Sequence, residues 1–226
     1  SQLTDDEIIG HAGVIFAAGH ETSANSLTWT LLLLSQHPAI TNNLVAELRG
    51  ELHGEAPTTE QLSRLPLLDA VVKESLRILP PVPLHPRFIS EPCELGGYHL
   101  PAYSEIFLSI YNLHHDPDLF PDPETFLPSR WATSKPSTFE YNPFGVGPRM
   151  CIGAVFATME IKIALAMILQ RFRITPAPGR PIDRRVAITM APTPSLLAKV
   201  ELADGNWKAS AGGICGNVRE LVNLPA

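Results

Sequence analysis

The chain opens on a polar, acidic stretch and passes directly into a long, largely apolar run. Thr4 and Glu7 stand at capping-box spacing, so the pattern predicts a helix beginning near Asp5. It continues to Gln36, where His37-Pro38 stops it, because a residue before proline is pushed out of the helical region. About 32 residues at ~1.5 Å each give a rod of roughly 48 Å, long enough to cross a domain. Residues 39–52 predict a second helix ending at Gly54, and residues 67–79 a third closed by Pro80-Pro81. From Val82 to Ser109 the pattern shortens: 87–89 and 104–108 read as strands, with Gly96-Gly97 as a turn. Residues 116–131, rich in proline and aspartate, predict an irregular meander. Helical periodicity resumes over 153–171. After Ala203 the chain is glycine-rich and carries no legible pattern.

Composition sharpens this picture in a few places. The 22 prolines concentrate between Pro80 and Pro148, which assigns the middle of the chain to short strands and loops. With 226 residues a sizeable core is possible, since folding at this size buries roughly 70–75% of the unfolded surface. A formal net charge of −6 with no basic run argues against a nucleic-acid partner. Three widely spaced cysteines make no disulfide framework and suit a reducing compartment. The most apolar stretch is interrupted by His20, Glu21 and Asn25, so no transmembrane helix is predicted. The acidic start does not have the form of a signal peptide.

The most informative segment is 144–153, Phe-Gly-Val-Gly-Pro-Arg-Met-Cys-Ile-Gly. A cysteine ends a loop constrained by glycine and proline, two residues after an arginine, and an apolar helix follows. The glycines let the backbone approach a flat ligand. Backbone N–H groups near Cys151 and the positive end of the following helix would favour a thiolate. Arg149 would neutralise a carboxylate on the ligand. A lone cysteine is more often a small buried hydrophobe, a reading that suits Cys93 and Cys215. Residues 144–153 resemble the haem-binding loop of the cytochrome P-450 family, Phe-x-x-Gly-x-Arg-x-Cys-x-Gly, at every fixed position. The resemblance implies that Cys151 is the proximal thiolate ligand of haem iron. Phe144, Gly145, Arg149 and Gly153 become cofactor contacts with it.

Three further motifs resemble the family's, in its order. Ala18-Gly19-His20-Glu21-Thr22 resembles the central-helix motif that opens a groove over the distal haem face. Glycine inside a helix costs about 1 kcal/mol relative to alanine, so a local opening is expected there. Carried over, Thr22 donates a hydrogen bond to bound dioxygen, Glu21 relays protons from water, and Ala18 contacts the cofactor. Glu74-Ser75-Leu76-Arg77 resembles Glu-x-x-Arg; without that context it would be an ordinary ion pair along one helix face. Phe126-Leu127-Pro128-Ser129-Arg130 resembles Phe-x-Pro-x-Arg, with Trp131 where phenylalanine is commoner. The implied triad of Glu74, Arg77 and Arg130 locks the meander behind the cysteine loop. Arg87, by position, resembles an arginine that pairs with a haem propionate. Residues 82–85, the Thr193-Pro194-Ser195 turn and the helix face near Ala17 and Ala18 resemble substrate-contacting segments.

Competing signatures fail on their own terms. His20-Glu21 begins a zinc-protease motif, but residue 24 is alanine. His114 and Asp116 fit two ligands of a non-haem iron triad, yet no histidine follows His115. Gly145-Val146-Gly147-Pro148 lacks the third glycine of a dinucleotide loop, and proline spoils its helix start.

The fold class that follows is mainly α with small β-sheets, the C-terminal portion of the cytochrome P-450 fold. It divides into 1–203, a partial P-450 domain, and 204–226, an atypical tail. The implied activity is a monooxygenase that holds haem b (iron protoporphyrin IX) and inserts one oxygen atom of O2 into a small apolar substrate. Electrons would come from NADPH through a reductase. Residues 73–81 resemble the microsomal branch, which implies the cytosolic face of the endoplasmic reticulum, with membrane association only through an N-terminal part outside this chain. Only the C-terminal half of the family pattern is matched, so an open site and exposed apolar faces on the central and final helices are expected. The alternative is a non-catalytic remnant that binds haem weakly or not at all. An isomerase or dehydratase of the same family is a third reading, which the Glu21-Thr22 pair lowers.

Overall fold

A computed structural model describes residues 3–205, 207 and 213–225. The first helix, α1 (Asp5–Gln36), starts at the predicted capping box, with Thr4 as N-cap and Glu7 reaching back. The next, α2 (Pro38–Leu52), begins on the proline itself, which suits a first helical turn where no N–H partner is needed. It ends on His53 in a left-handed conformation ahead of Gly54. A short helix, α3 (Thr59–Leu62), follows its own Thr58/Gln61 capping box, a signal present in the sequence but not read there. The third predicted helix is α4 (Pro66–Ile78).

The strands are short and pair antiparallel in four two-stranded sheets. Strand β1 (Leu84–Phe88) pairs with β4 (Glu105–Ser109), placing Arg87 opposite Ile106. Strands β2 (Cys93–Leu95) and β3 (Tyr98–Leu100) meet across Gly96 and Gly97, whose φ values of 60° and 83° make the expected turn. One helical turn, α5 (Ile110–His114), leaves β4 and leads into the meander, where Pro128–Ala132 forms a 3-10 turn. The last long helix, α6 (Ala154–Arg171), runs into β5 (Phe172–Pro176), which pairs with β8 (Ala198–Leu202). Between them, β6 (Asp183–Val186) and β7 (Met190–Thr193) form a hairpin.

The core lies where α1, α2, α4 and α6 meet. Trp29, Leu32 and Leu33 of α1 pack with Leu44 and Leu48 of α2, Leu68 and Val72 of α4, and Leu165 of α6. A buried bond from the Thr30 hydroxyl to Ser75 Oγ (2.6 Å) ties α1 to α4. The N-terminal part of α1 makes no core: residues 3–21 are exposed throughout, including Ile15 and Phe16. Val155 and Phe156 at the start of α6 are exposed as well. Exposed apolar faces on both helices were expected.

One expectation needs correction. The helix does not open at residues 18–22; α1 is continuous. A side chain at Gly19 would meet open space, and Thr22 Oγ1 donates to the Ala18 carbonyl (2.7 Å) without widening the turn. After Ala203, where the sequence carries no legible pattern, the described residues form defined elements. Cys215 forms a β-bridge with Pro181, Asn217–Glu220 is a 3-10 turn, and Asn223 N–H donates to the Glu124 carbonyl at 2.8 Å. Ile214, Val218, Leu221, Val222 and Leu224 are buried in the same core. The glycines around them hid a short apolar run that needs the hairpin and meander as its partner.

Candidate functional site

The cysteine loop is anchored before it begins. Tyr141 Oη donates to the Lys73 carbonyl (3.0 Å), and Asn142 N–H donates to His114 Nε2 (3.1 Å). The chain then turns through Gly145 and Gly147, with φ of 73° and 72°, a region costly for side chains other than glycine. At Gly145 the need is double: a Cβ there would lie 3.3 Å from the His85 ring. Gly147–Arg149 forms a 3-10 turn, and Cys151 N–H donates back to the Phe144 carbonyl (2.9 Å), closing the loop. The N–H of Cys151 itself is thereby spent on holding the loop shut. Gly153 then caps α6, and a Cβ at that position would sit 3.8 Å from Cys151 Sγ. The residue carrying the sulfur is exposed.

Strand β1 brings Arg87 to the same region. The His85 ring lies where a Cβ on Gly145 would meet it, and Arg87, two residues further along the strand, shares the face of β1 that carries His85. Burial, and secondly the charge of Arg87, lowers the His85 pKa. Arg87 donates only to the adjacent Pro86 carbonyl (2.8 Å), and Arg149 is exposed on its 3-10 turn. Among the described residues neither guanidinium has an acidic partner. Around the sulfur, Ile152 is fully exposed, with Val155 and Phe156 beside it.

These features fit haem. A soft, exposed sulfur suits iron, the space beside Gly147 is open, two guanidiniums without acidic partners suit two propionates, and the exposed aliphatic side chains suit the porphyrin edge. Among the described residues no group of three or more histidine, cysteine and carboxylate side chains could hold a bare metal ion.

Ala18, Glu21 and Thr22 sit together on α1. Thr22 is half-buried and bonded to Ala18, as above. Glu21 is exposed, and its Oε1 accepts from Thr189 Oγ1 at 2.6 Å, a contact across the fold that no motif announced. No hydrogen bond among the described residues joins this trio to the cysteine loop; α1 and α6 relate the two groups through the shared core.

Behind the loop lies the Glu74 cluster. Arg77 donates to both carboxylate oxygens of Glu74 (3.0 and 2.9 Å), and Arg130 Nε donates to Oε1 (2.9 Å). Two further donors were not foreseen: Leu127 N–H (3.0 Å) and the Trp131 indole N–H (2.9 Å). The indole explains what tryptophan adds over phenylalanine at that position, since phenylalanine has no donor. The arginines also donate to meander carbonyls of Pro121, Asp122 and Thr125. Arg77 Nη1 reaches the His114 carbonyl at 2.8 Å, so one residue connects the cluster to the loop anchor. Burial first, and then the charge of Arg77, pushes the His114 pKa down to about 3. A neutral ring is what an N–H acceptor at Nε2 requires.

Comparison with known proteins follows the same outline. The family model described as cytochrome P450 matches residues 1–200. Cyclooctatin synthase of Streptomyces melanosporofaciens is 40% identical over 195 residues, 85% of this chain and 42% of that protein. Cytochrome P450 4V2 of Mus musculus is 40% identical over 178 residues, 76% of this chain and 34% of that protein. Cyclooctat-9-en-7-ol 5-monooxygenase of Streptomyces melanosporofaciens is 39% identical over 180 residues, 78% of this chain and 39% of that protein. The chain thus spans 34–42% of the length of these relatives, and a bacterial and a mammalian protein match it equally well at 40%. None of its described helices is long and apolar enough to cross a membrane. Mainly helical with small antiparallel sheets, with the cysteine loop and the Glu74 cluster in place and nearly its whole described length matched, the chain belongs to the cytochrome P450 family.

Proposed function

We propose that the chain is the haem-thiolate portion of a monooxygenase acting on a small apolar substrate. The observation that carries this reading is the exposed Cys151 side chain, presented by a loop whose last backbone donor closes on Phe144. Cys151 Sγ would hold the haem iron, and Arg87 and Arg149 would pair with its propionates. Phe144, Gly145 and Gly153 would contact the ring on the side of the cysteine loop, and Ala18 would contact it from α1. Once bound, haem supplies the oxygen-activating chemistry that no side chain has. Glu21 takes protons from water at its carboxylate oxygens. Thr22 passes them on through its hydroxyl when that hydroxyl turns from the Ala18 carbonyl. The Glu74 cluster holds the loop in place and touches no reactant. O2 and electrons from NADPH through a reductase complete the reaction. The proposed location is the cytosolic face of the endoplasmic reticulum, resting on the microsomal likeness of residues 73–81.

A second reading is a chain that takes up haem without turnover. It draws on the exposure of Ile15, Phe16 and Val155, which leaves water access to a site that works best dry.

The test is a reduced carbon-monoxide difference spectrum of the chain supplied with haem. A thiolate-bound species absorbs well to the red of a histidine-bound one. The expected result is a red-shifted band that disappears in Cys151→Ala. No haem uptake, or a band unaffected by that substitution, overturns the proposal.

A further inference from the structure

We infer that Thr189 is the positioning residue for the Glu21 carboxylate; the inference rests on the haem-thiolate reading above. Thr189 lies in the turn between β6 and β7, 168 positions from Glu21, and is 6% exposed. Its hydroxyl accepts from Asn25 Nδ2 at 3.2 Å and donates to Glu21 Oε1 at 2.6 Å. The order of donors is set by chemistry. An amide nitrogen only donates and a carboxylate only accepts, so the single hydroxyl proton points at Glu21.

The turn that carries Thr189 is itself fixed. Met190, 1% exposed, donates its N–H to the Pro81 carbonyl (2.7 Å) and accepts the Trp29 indole N–H at its own carbonyl (3.0 Å). Ala187 N–H closes the turn on the Thr189 carbonyl (3.0 Å). The hydroxyl is therefore held on a rigid hairpin, against the helix that bears its acceptor. Glu21 is otherwise an exposed glutamate with several rotamers open to it, and among the described residues no cation pairs with it. A neutral donor suits a relay. It selects one rotamer next to Thr22 without the fixed positive charge that would hold protons off the carboxylate.

Thr189→Val keeps the shape and removes the hydroxyl, while Thr189→Ser restores it. In the chain without haem, the Thr189 hydroxyl proton should give a slowly exchanging NMR resonance that Glu21→Ala abolishes. The Trp29 indole resonance reports whether the hairpin stays docked in each variant. In the haem-loaded chain the probe is cumene hydroperoxide. Two-electron cleavage of its O–O bond, with both electrons drawn from the loaded haem and a proton delivered to the leaving oxygen, yields cumyl alcohol; one-electron cleavage gives the cumyloxyl radical, which loses a methyl radical to leave acetophenone. We expect the alcohol-to-ketone ratio to fall about fivefold in Thr189→Val and to recover in Thr189→Ser, with the Trp29 resonance in place. An unchanged ratio in Thr189→Val with the hairpin docked overturns this inference alone, as does absence of the hydroxyl resonance in the unsubstituted chain. Absence of the red-shifted carbon-monoxide band in the unsubstituted chain overturns the haem-thiolate reading and this one with it.

Discussion

Replacing Glu74 by alanine removes the carboxylate on which α4, the meander and the 3-10 turn converge. Arg77 and Glu74 have fully buried side chains, and that of Arg130 is 7% exposed. Without the carboxylate, Arg77 keeps its bonds to the His114 and Thr125 carbonyls, and Arg130 keeps those to Pro121 and Asp122. Both guanidiniums lose their counter-charge, and the Leu127 and Trp131 N–H groups lose their acceptor. Breaking a buried ion pair from one side costs about 3–5 kcal/mol. Much of the total is this one desolvation penalty, so the separate hydrogen bonds are not added to it. With a urea slope of about 2 kcal/mol/M, a loss of ~4 kcal/mol lowers the unfolding midpoint by roughly 2 M. That is a large fraction of the 5–15 kcal/mol typical of a domain, so the variant is expected to be poorly folded at 37 °C. Urea unfolding followed by far-ultraviolet circular dichroism measures the shift. Trp131→Phe in the same assay removes the indole donor and part of the ring that packs on Tyr141, and about 1–2 kcal/mol is expected. A midpoint change under about 0.5 M for Glu74→Ala would refute the view that this carboxylate holds the meander.

Two further outcomes follow from buried groups elsewhere. The folded pKa of His114 lies near 3 against 6.5 for the free side chain, so the unfolded chain takes up the proton first. Its stabilising contribution is complete above about pH 6.5 and is lost as pH falls toward 3. His37, His85 and His115 are also lowered, chiefly by burial, and add to the same slope. Unfolding midpoints measured from pH 7 to 4 should fall less steeply in His114→Gln, and identical slopes would contradict the assignment. At Gly216, with φ of 103°, a Cβ would lie 2.4 Å from the Ile182 carbonyl oxygen. Gly216→Ala is expected to cost about 2 kcal/mol or more in the same urea assay and to raise proteolysis of the segment after it; a neutral variant would show that the tail is not held through this turn.

Much of the candidate site was legible because its signals are local. Glycine at 145 and 147, the cysteine at 151 and the apolar run behind it occupy one short stretch whose conformation is set by adjacent residues. The same holds for Thr4 and Glu7 at the start of α1, and for His37-Pro38 at its end. One feature misled. Gly19 suggested an opened helix, but intrinsic propensity is a weak term beside an unbroken ladder of backbone bonds, and α1 runs straight through. The segment after Ala203 carried no legible pattern, because Ile214, Val218 and Leu221 bury against elements formed earlier in the chain and have no local periodicity.

By itself, then, the order of residues determined the helices, their caps, the strand pair around Arg87 and the loop that presents Cys151, because each depends on neighbours within a few positions. Tertiary structure alone decided which distant groups meet. Thr189 reaches Glu21 across 168 positions, Trp131 reaches Glu74 across 57, and Asn142 finds His114 across 28. Such pairs leave no periodic trace. They exist because burial of the α1, α2, α4 and α6 faces brings the hairpin, meander and loop to fixed places, where a buried polar atom left without a partner is costly.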